Sequence, residues 1–144
     1  MKNVLFACVH NAGRSQMAAA WFNRLTHPSR ARAISAGTAP SSRVHPEVVA
    51  AMAEVEIDLS SEVPKLLTEG LARDASLLIT MGCGETCPVV PGLARQDWPL
   101  EDPKGQSAGR IRAIRDEVKA RVEALIAELG LASVVLASIV FDSP

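Results

Sequence analysis

Apolar residues fall along this chain in two patterns. The first is the short unbroken run: Val4-Leu5-Phe6-Ala7, and again Leu77-Leu78-Ile79 within residues 76–81. Runs of this length suit strands buried on both faces, as in a parallel sheet covered by helices. They predict a first strand over 2–7 and a third over 76–81. Residues 31–36 read as a second strand closed by Gly37, and 96–98 as a short edge strand. The second pattern is helical. Met17, Ala20, Trp21 and Leu25 share one stripe of a helix over 16–26, which His27-Pro28-Ser29 stops. Pro46 suits the first turn of a second helix reaching about Val55. A short helical segment is expected around 64–71. Ile111, Ile114, Val118, Val122, Leu125 and Leu129 recur at three- and four-residue spacing, which predicts the longest helix over 106–129.

This alternation predicts an α/β fold of three layers, a doubly wound four-stranded parallel sheet with helices on both faces. Such sheets bind ligands outside the carboxyl ends of their strands. Cys8 ends the first predicted strand and Cys83 follows the third, so both are expected at that one edge. Residues 1–130 are expected to form one domain. Residues 131–144 form an apolar tail, uncharged from Leu131 to Phe141 and shorter than the roughly 20 residues that span a bilayer. Its role is open.

Composition narrows the function. The chain has 144 residues, a 48% hydrophobic fraction and a formal net charge of −1. That suits a single core, and no basic run or excess positive charge marks a nucleic-acid surface. The N-terminus begins in a strand without a signal-peptide pattern, so a cytoplasmic protein with no membrane association is expected. Three cysteines, Cys8, Cys83 and Cys87, are too few for a secreted disulfide scaffold. Catalytic thiols fit a reducing compartment better. No metal site is expected, because the cysteines lack a fourth ligand at zinc spacing.

The candidate chemistry starts at Cys8-Val9-His10-Asn11-Ala12-Gly13-Arg14-Ser15, between a strand and a helix. A loop of that size can curl around one tetrahedral oxyanion, with the amides of Val9, His10, Asn11, Ala12 and Gly13 pointing inward. Arg14 adds a planar fork for two of the anion's oxygens, and Gly13 adds backbone freedom. Inward amides, helix dipole and Arg14 together favour a thiolate at Cys8. The bland alternative is a buried Cys8 at a strand end and a surface Arg14.

The stretch Cys8-Val9-His10-Asn11-Ala12-Gly13-Arg14-Ser15-Gln16-Met17-Ala18 resembles the phosphate loop of the low-molecular-weight protein tyrosine phosphatase superfamily, most closely its arsenate reductase branch. Ser35-Ala36-Gly37-Thr38, Thr80-Met81-Gly82-Cys83-Gly84-Glu85-Thr86-Cys87-Pro88 and Asp97-Trp98-Pro99-Leu100-Glu101-Asp102-Pro103 follow in the family's order. The resemblance covers about residues 2–129. It implies that Cys8 attacks arsenate, that Arg14 binds it, that Ser15 hydrogen-bonds the thiolate and that Asn11 orders the loop. It implies Asp102 as the general acid; spacing alone does not separate Asp102 from Glu101, and Asp97 is also near. Phosphate and sulfate are the expected competing oxyanions. No bound cofactor is implied, only an external thiol reductant.

In thioredoxin-linked members a second cysteine attacks the first and a third then takes over the disulfide, which implies Cys83 and then Cys87 here. Only three residues separate these two. On a helix their Cβ atoms would stand about 5–6 Å apart, against about 3.8 Å in a disulfide, so local unwinding is required. The Gly-Cys-Gly-x-x-Cys-Pro form also resembles members that pass arsenate to mycothiol or a like thiol such as glutathione, with a glutaredoxin-like mycoredoxin as partner. Two spare loop cysteines are the bland alternative. Ala19 stands where some members carry a potassium-binding Glu, so no potassium site is expected. The rival activity is a low-molecular-weight tyrosine phosphatase, disfavoured by the absence of Tyr and of an aromatic after Asp102-Pro103. A non-catalytic anion binder is a third reading.

Overall fold

The computed structural model describes residues 2–82 and 91–131. Four strands, β1 (Lys2–Cys8), β2 (Ala31–Gly37), β3 (Leu77–Thr80) and β4 (Ala94–Asp97), form one sheet in the order β2-β1-β3-β4. Every pairing is parallel. Among the described residues four helices, α1 (Arg14–Leu25), α2 (Pro46–Ala53), α3 (Glu69–Arg73) and α4 (Ala108–Glu128), complete the three-layer doubly wound architecture that the alternation predicts.

Strand β1 is central and its side chains divide the core. Val4, Phe6 and Cys8 face a large apolar layer containing Met17, Phe22, Met52, Ile111, Val118 and Val122. Leu5 and Ala7 face a thin one with Ala36, Ala72 and Leu78. Period-two alternation therefore survives inside a run that is apolar at every position. The thick layer holds α1, α2 and α4, whose stripes bury Met17, Trp21, Ile111, Ile114, Val118, Val122 and Leu125 as expected, whereas Ala20, Leu25 and Leu129 are only partly buried. The stripe on α4 also buries Arg115, which donates to the Ala51 carbonyl and pairs with Glu54 and Asp116, bracing α4 against α2. Leu131, just past α4, is buried too. Residues 132–144 of the apolar tail lie outside the described residues.

Two elements differ from expectation. Residues 64–68 are not helical. The Gly37 amide donates to the Lys65 carbonyl and the Leu67 amide to the Gly37 carbonyl, so this stretch runs extended beside the end of β2. The helix starts only at Glu69, where Thr68 caps it through the Leu71 amide. Pairing with Gly37 thus outweighs local helical preference. Strand β4 is the expected short edge strand, but it runs from Ala94 to Asp97 rather than over 96–98; it is exposed, and ladder bonds to β3 need no apolar run.

The carboxyl ends of the strands stay level. Cys8 pairs with Gly37, the Met81 amide donates to the Ala7 carbonyl, and the Trp98 amide donates to the Thr80 carbonyl. Every loop that the sequence singles out leaves from this edge.

Candidate active site

The loop after β1 is defined by where its carbonyls go. The Val9 carbonyl accepts from the Ala39 amide, His10 from Ser41, Ala12 from His45 and Gly13 from Met17. The Asn11 carbonyl accepts from the Gln16 side chain at 3.0 Å. All five carbonyls of residues 9–13 are thus held by groups outside the loop. Among the described residues none of the amides from Val9 to Arg14 donates to the protein. A planar peptide whose carbonyl is pulled outward turns its N–H inward. Asn11 supplies the left-handed residue that such a concave nest requires, with φ 50°. The next helix leaves its positive end free: α1 has neither a side-chain cap nor an acidic residue in its first turn.

Below the nest lies a buried chain of side chains. Cys8 Sγ is 2.8 Å from Ser15 Oγ. Asn11 Nδ2 donates to Ser15 Oγ at 2.7 Å. Asn11 Oδ1 accepts from Gln16 Nε2 at 3.1 Å and from the Lys65 amide at 2.9 Å. The direction follows from the ends. Lys65 offers only a donor, so the Asn11 oxygen faces it and the Asn11 amide nitrogen faces Ser15. Ser15 Oγ then accepts from Asn11 and has its own proton to give Cys8 Sγ. Cys8, Asn11, Ser15 and Gln16 are all nearly inaccessible, so this bond is made in a dry setting where hydrogen bonds weigh most. Gln16 and the Lys65 amide lie beyond what the sequence suggests: the first stands in the motif with no role attached to it, and the second acts across 54 residues through its backbone.

Two glycines make the assembly possible by lacking a side chain. A Cβ at Gly37 would stand 2.5 Å from the Val9 carbonyl oxygen and 3.0 Å from the Asn11 amide. Gly13, the residue before α1, has φ −145° and ψ −89°, a combination outside both the extended and the helical regions. A Cβ there would meet Pro103 Cγ at 2.8 Å. Gly13 is where the 98–104 loop sits down on the anion loop.

The end of β4 and that second loop bring three carboxylates to the edge, and the structure separates them. Asp97 accepts from the Thr80 hydroxyl at 2.7 Å. Glu101 is forked by Arg110 at 2.7 and 2.8 Å, and this hydrogen-bonded guanidinium holds its carboxyl below the usual range. Asp102 is the one that faces Arg14, at 3.9 Å, with its side chain half exposed. Its other oxygen accepts from the Lys104 amide at 3.0 Å. Arg14 also donates to the Leu100 carbonyl at 2.9 Å. The His10 side chain turns away from the nest, with Nδ1 3.1 Å from the Ala39 carbonyl oxygen. Trp98 packs beneath the site, its ring 5.6 Å from that of Phe6. Cys83 and Cys87 lie outside the described residues; the residue before Cys83, Gly82, lies against Arg14.

A buried thiol beneath inward amides, a guanidinium beside them and a carboxylate on a docked loop form a complete set for displacement at a tetrahedral oxyanion. Similarity to known proteins places the chain as a whole. A glutaredoxin arsenate reductase of Synechocystis is 41% identical over 90% of this chain and 100% of its own length. The solved structure of a thioredoxin-dependent arsenate reductase of Corynebacterium glutamicum superposes with TM-score 0.78 and 38% identity; the match covers 90% of this chain but 62% of that longer one. A structure of an arsenate reductase in the phosphate binding state superposes with TM-score 0.77 and 39% identity, over 89% of this chain and 98% of the other. The family model for low molecular weight phosphotyrosine protein phosphatase matches residues 3–134, and the chain belongs to that family.

Proposed function

We propose that this protein reduces arsenate to arsenite, with Cys8 as nucleophile. The observation that carries the reading is the loop of five outward-held carbonyls closed over the Cys8 sulfur. Arsenate sits in the nest, its charge met by the amides of residues 9–14 and the Arg14 fork. The Cys8 thiolate attacks arsenic, and one As–O bond breaks. Asp102 protonates the departing oxygen, which leaves as water. A second thiol then attacks the Cys8 sulfur. A disulfide forms, the S–As bond breaks, and its electron pair stays on arsenic, which is now arsenite. Two thiols have lost the two electrons that arsenic gained.

The second thiol is assigned to Cys83, and the disulfide passes to Cys87 before an external thiol system restores the enzyme. The relatives named above for thioredoxin and for glutaredoxin support a protein or small-thiol reductant of that kind. Mycothiol or glutathione with a glutaredoxin-like protein is the alternative supply. Arsenate, with phosphate and sulfate as competitors, is the expected ligand. No described helix is long and apolar enough to cross a membrane, and the thiol chemistry is assigned to the cytoplasm.

Arsenite release decides the matter, measured for wild type and for Cys8→Ser, Cys83→Ser and Cys87→Ser. Thioredoxin would be supplied in one series and a small thiol with a glutaredoxin-type protein in another. Turnover with thioredoxin that every replacement abolishes establishes the three-cysteine relay. Turnover only with the small thiol, surviving loss of Cys87, makes the protein an arsenate–thiol transferase. Rapid cleavage of p-nitrophenyl phosphate with no arsenite in either series would turn the assignment to a phosphatase.

A further inference from the structure

We propose that Gly82 is a positioning residue for oxyanion binding: its missing side chain is the space in which the Arg14 guanidinium lies. This rests on the active-site reading above. Arg14 is 12% exposed at its side chain. Its Nη1 donates to the Leu100 carbonyl on one side. On the other side is Gly82, where a Cβ would stand 2.8 Å from that same Nη1 and 3.9 Å from Cζ. Gly82 also has φ +79°, a backbone conformation that side chains rarely adopt. Two demands for glycine coincide at one residue, and they differ in consequence. The left-handed backbone costs stability. The close approach costs geometry at one guanidinium, because a long flexible side chain yields more readily than backbone does. A methyl group at Gly82 therefore drives Arg14 out of its place between Gly82 and Leu100 and misaims the fork that meets the anion.

A second glycine separates the two costs. Gly92 has φ +83°, and a Cβ there meets nothing within 4 Å. It precedes β4, at the end of the sheet away from the anion loop. Gly92→Ala thus reports backbone strain alone. The experiment measures phosphate affinity by titration calorimetry, and KM and kcat for arsenate, in wild type, Gly82→Ala, Gly92→Ala, Arg14→Lys and the Gly82→Ala/Arg14→Lys double variant. Thermal midpoints are measured alongside.

We expect Gly82→Ala to weaken phosphate binding and raise KM about tenfold, with a midpoint shift matching that of Gly92→Ala, whose affinity stays at wild type. Against Arg14→Lys, whose shorter side chain carries no guanidinium to displace, Gly82→Ala should add almost nothing. Equal affinities for Gly82→Ala and Gly92→Ala would overturn the proposal. So would a Gly82→Ala penalty that is undiminished in the Arg14→Lys background. Should Gly82→Ala fail to fold, Gly82→Asn carries the same test, since Asn accepts left-handed backbone but still places a Cβ against Arg14. Wild-type protein that binds neither phosphate nor arsenate would sink the active-site reading instead, a result distinct from either of these.

Discussion

The nucleophile half of the site and the acid half are built on different terms. The first is one contiguous stretch, residues 8–16, whose polar side chains Asn11, Ser15 and Gln16 are buried and whose five carbonyls at residues 9–13 are held from outside the loop. The second spans 98–104. It seats Pro103 on Gly13 but leaves Asp102 half exposed, meeting Arg14 only at 3.9 Å. Charge stabilisation is effective when its dipoles are fixed before the anion arrives. A proton donor must instead reach a leaving oxygen whose place is set by the substrate. A rigid cradle with a tethered but solvent-facing acid meets both requirements.

The sharpest way to break this comparison is at the cradle. Cys8→Ser should abolish arsenite formation, since Cys8 is the one thiol beneath the nest among the described residues. Arg14→Lys should reduce kcat/KM roughly 10²–10³-fold, the size seen when one preorganised charge donor is lost. A lysine is a point charge and cannot fork two oxygens. Initial-rate kinetics in arsenate would check both. An Arg14→Lys variant within a few-fold of wild type would mean that the amides alone carry the anion.

The acid half should be more forgiving. Asp102→Asn removes the proton and keeps the shape, and general acids are worth about 10²–10⁴-fold. We expect about 10²-fold in kcat with phosphate affinity unchanged. Glu101→Gln should cost far less, because Glu101 is engaged by Arg110. If the two variants were reversed in severity, the assignment of the acid would move to Glu101.

These two halves were also unequally legible in the sequence. The anion loop could be read from its own nine residues, because a nest at a strand–helix junction is a local structure and chain order alone assembles it. Asp102 could not be chosen over Glu101 by spacing, since the choice is made by Arg110, a residue on α4, and by Pro103 docking on Gly13. The same distinction governs the fold. Strands β1 and β3 and the stripe of α4 declare themselves by burial pattern. The extended stretch at 64–68 does not, because its conformation is fixed by Gly37, far back in the chain. The burial of Arg115 is not legible locally for a similar reason: it depends on the Ala51 carbonyl of α2 and on Glu54 just after it.

A subtler break is the polarity of the buried chain. Gln16→Leu keeps the volume but takes a donor from both the Asn11 carbonyl and the Asn11 Oδ1. One carbonyl of the nest then loses its outward partner, and the adjoining peptide is free to turn. A buried polar group left unpaired costs about 1–3 kcal/mol. The thermal midpoint should fall accordingly, and phosphate binding should weaken more than in Ser15→Ala, which leaves the nest carbonyls held. Equal phosphate affinities in the two variants would show that the loop keeps its shape without Gln16.

The smallest expected effect lies away from the site and asks whether the scaffold beneath it is electrostatically braced. Hydrogen bonds from Arg112 and then Arg115 lower the Glu54 carboxyl from 4.5 to about 2. A depressed carboxylate stabilises the fold wherever it is ionised in both folded and unfolded chains, above about pH 5. That contribution shrinks as pH falls through 4.5 and is gone below about 2. Because the pair is largely at the surface, water and salt screen it. Glu54→Gln should therefore lower the thermal midpoint slightly at pH 7, and the difference from wild type should close toward pH 2 and narrow in high salt. Arg115 gives the comparison its edge: it is 8% exposed and retains the Ala51 carbonyl and Asp116 when Glu54 is neutral. Arg115→Met, which removes the buried cation itself, should leave α2 and α4 packed, with Glu54 still forked by Arg112. A larger midpoint loss for Arg115→Met than for Glu54→Gln across the whole pH range would locate the brace in the backbone contact to Ala51 rather than in the ion pair.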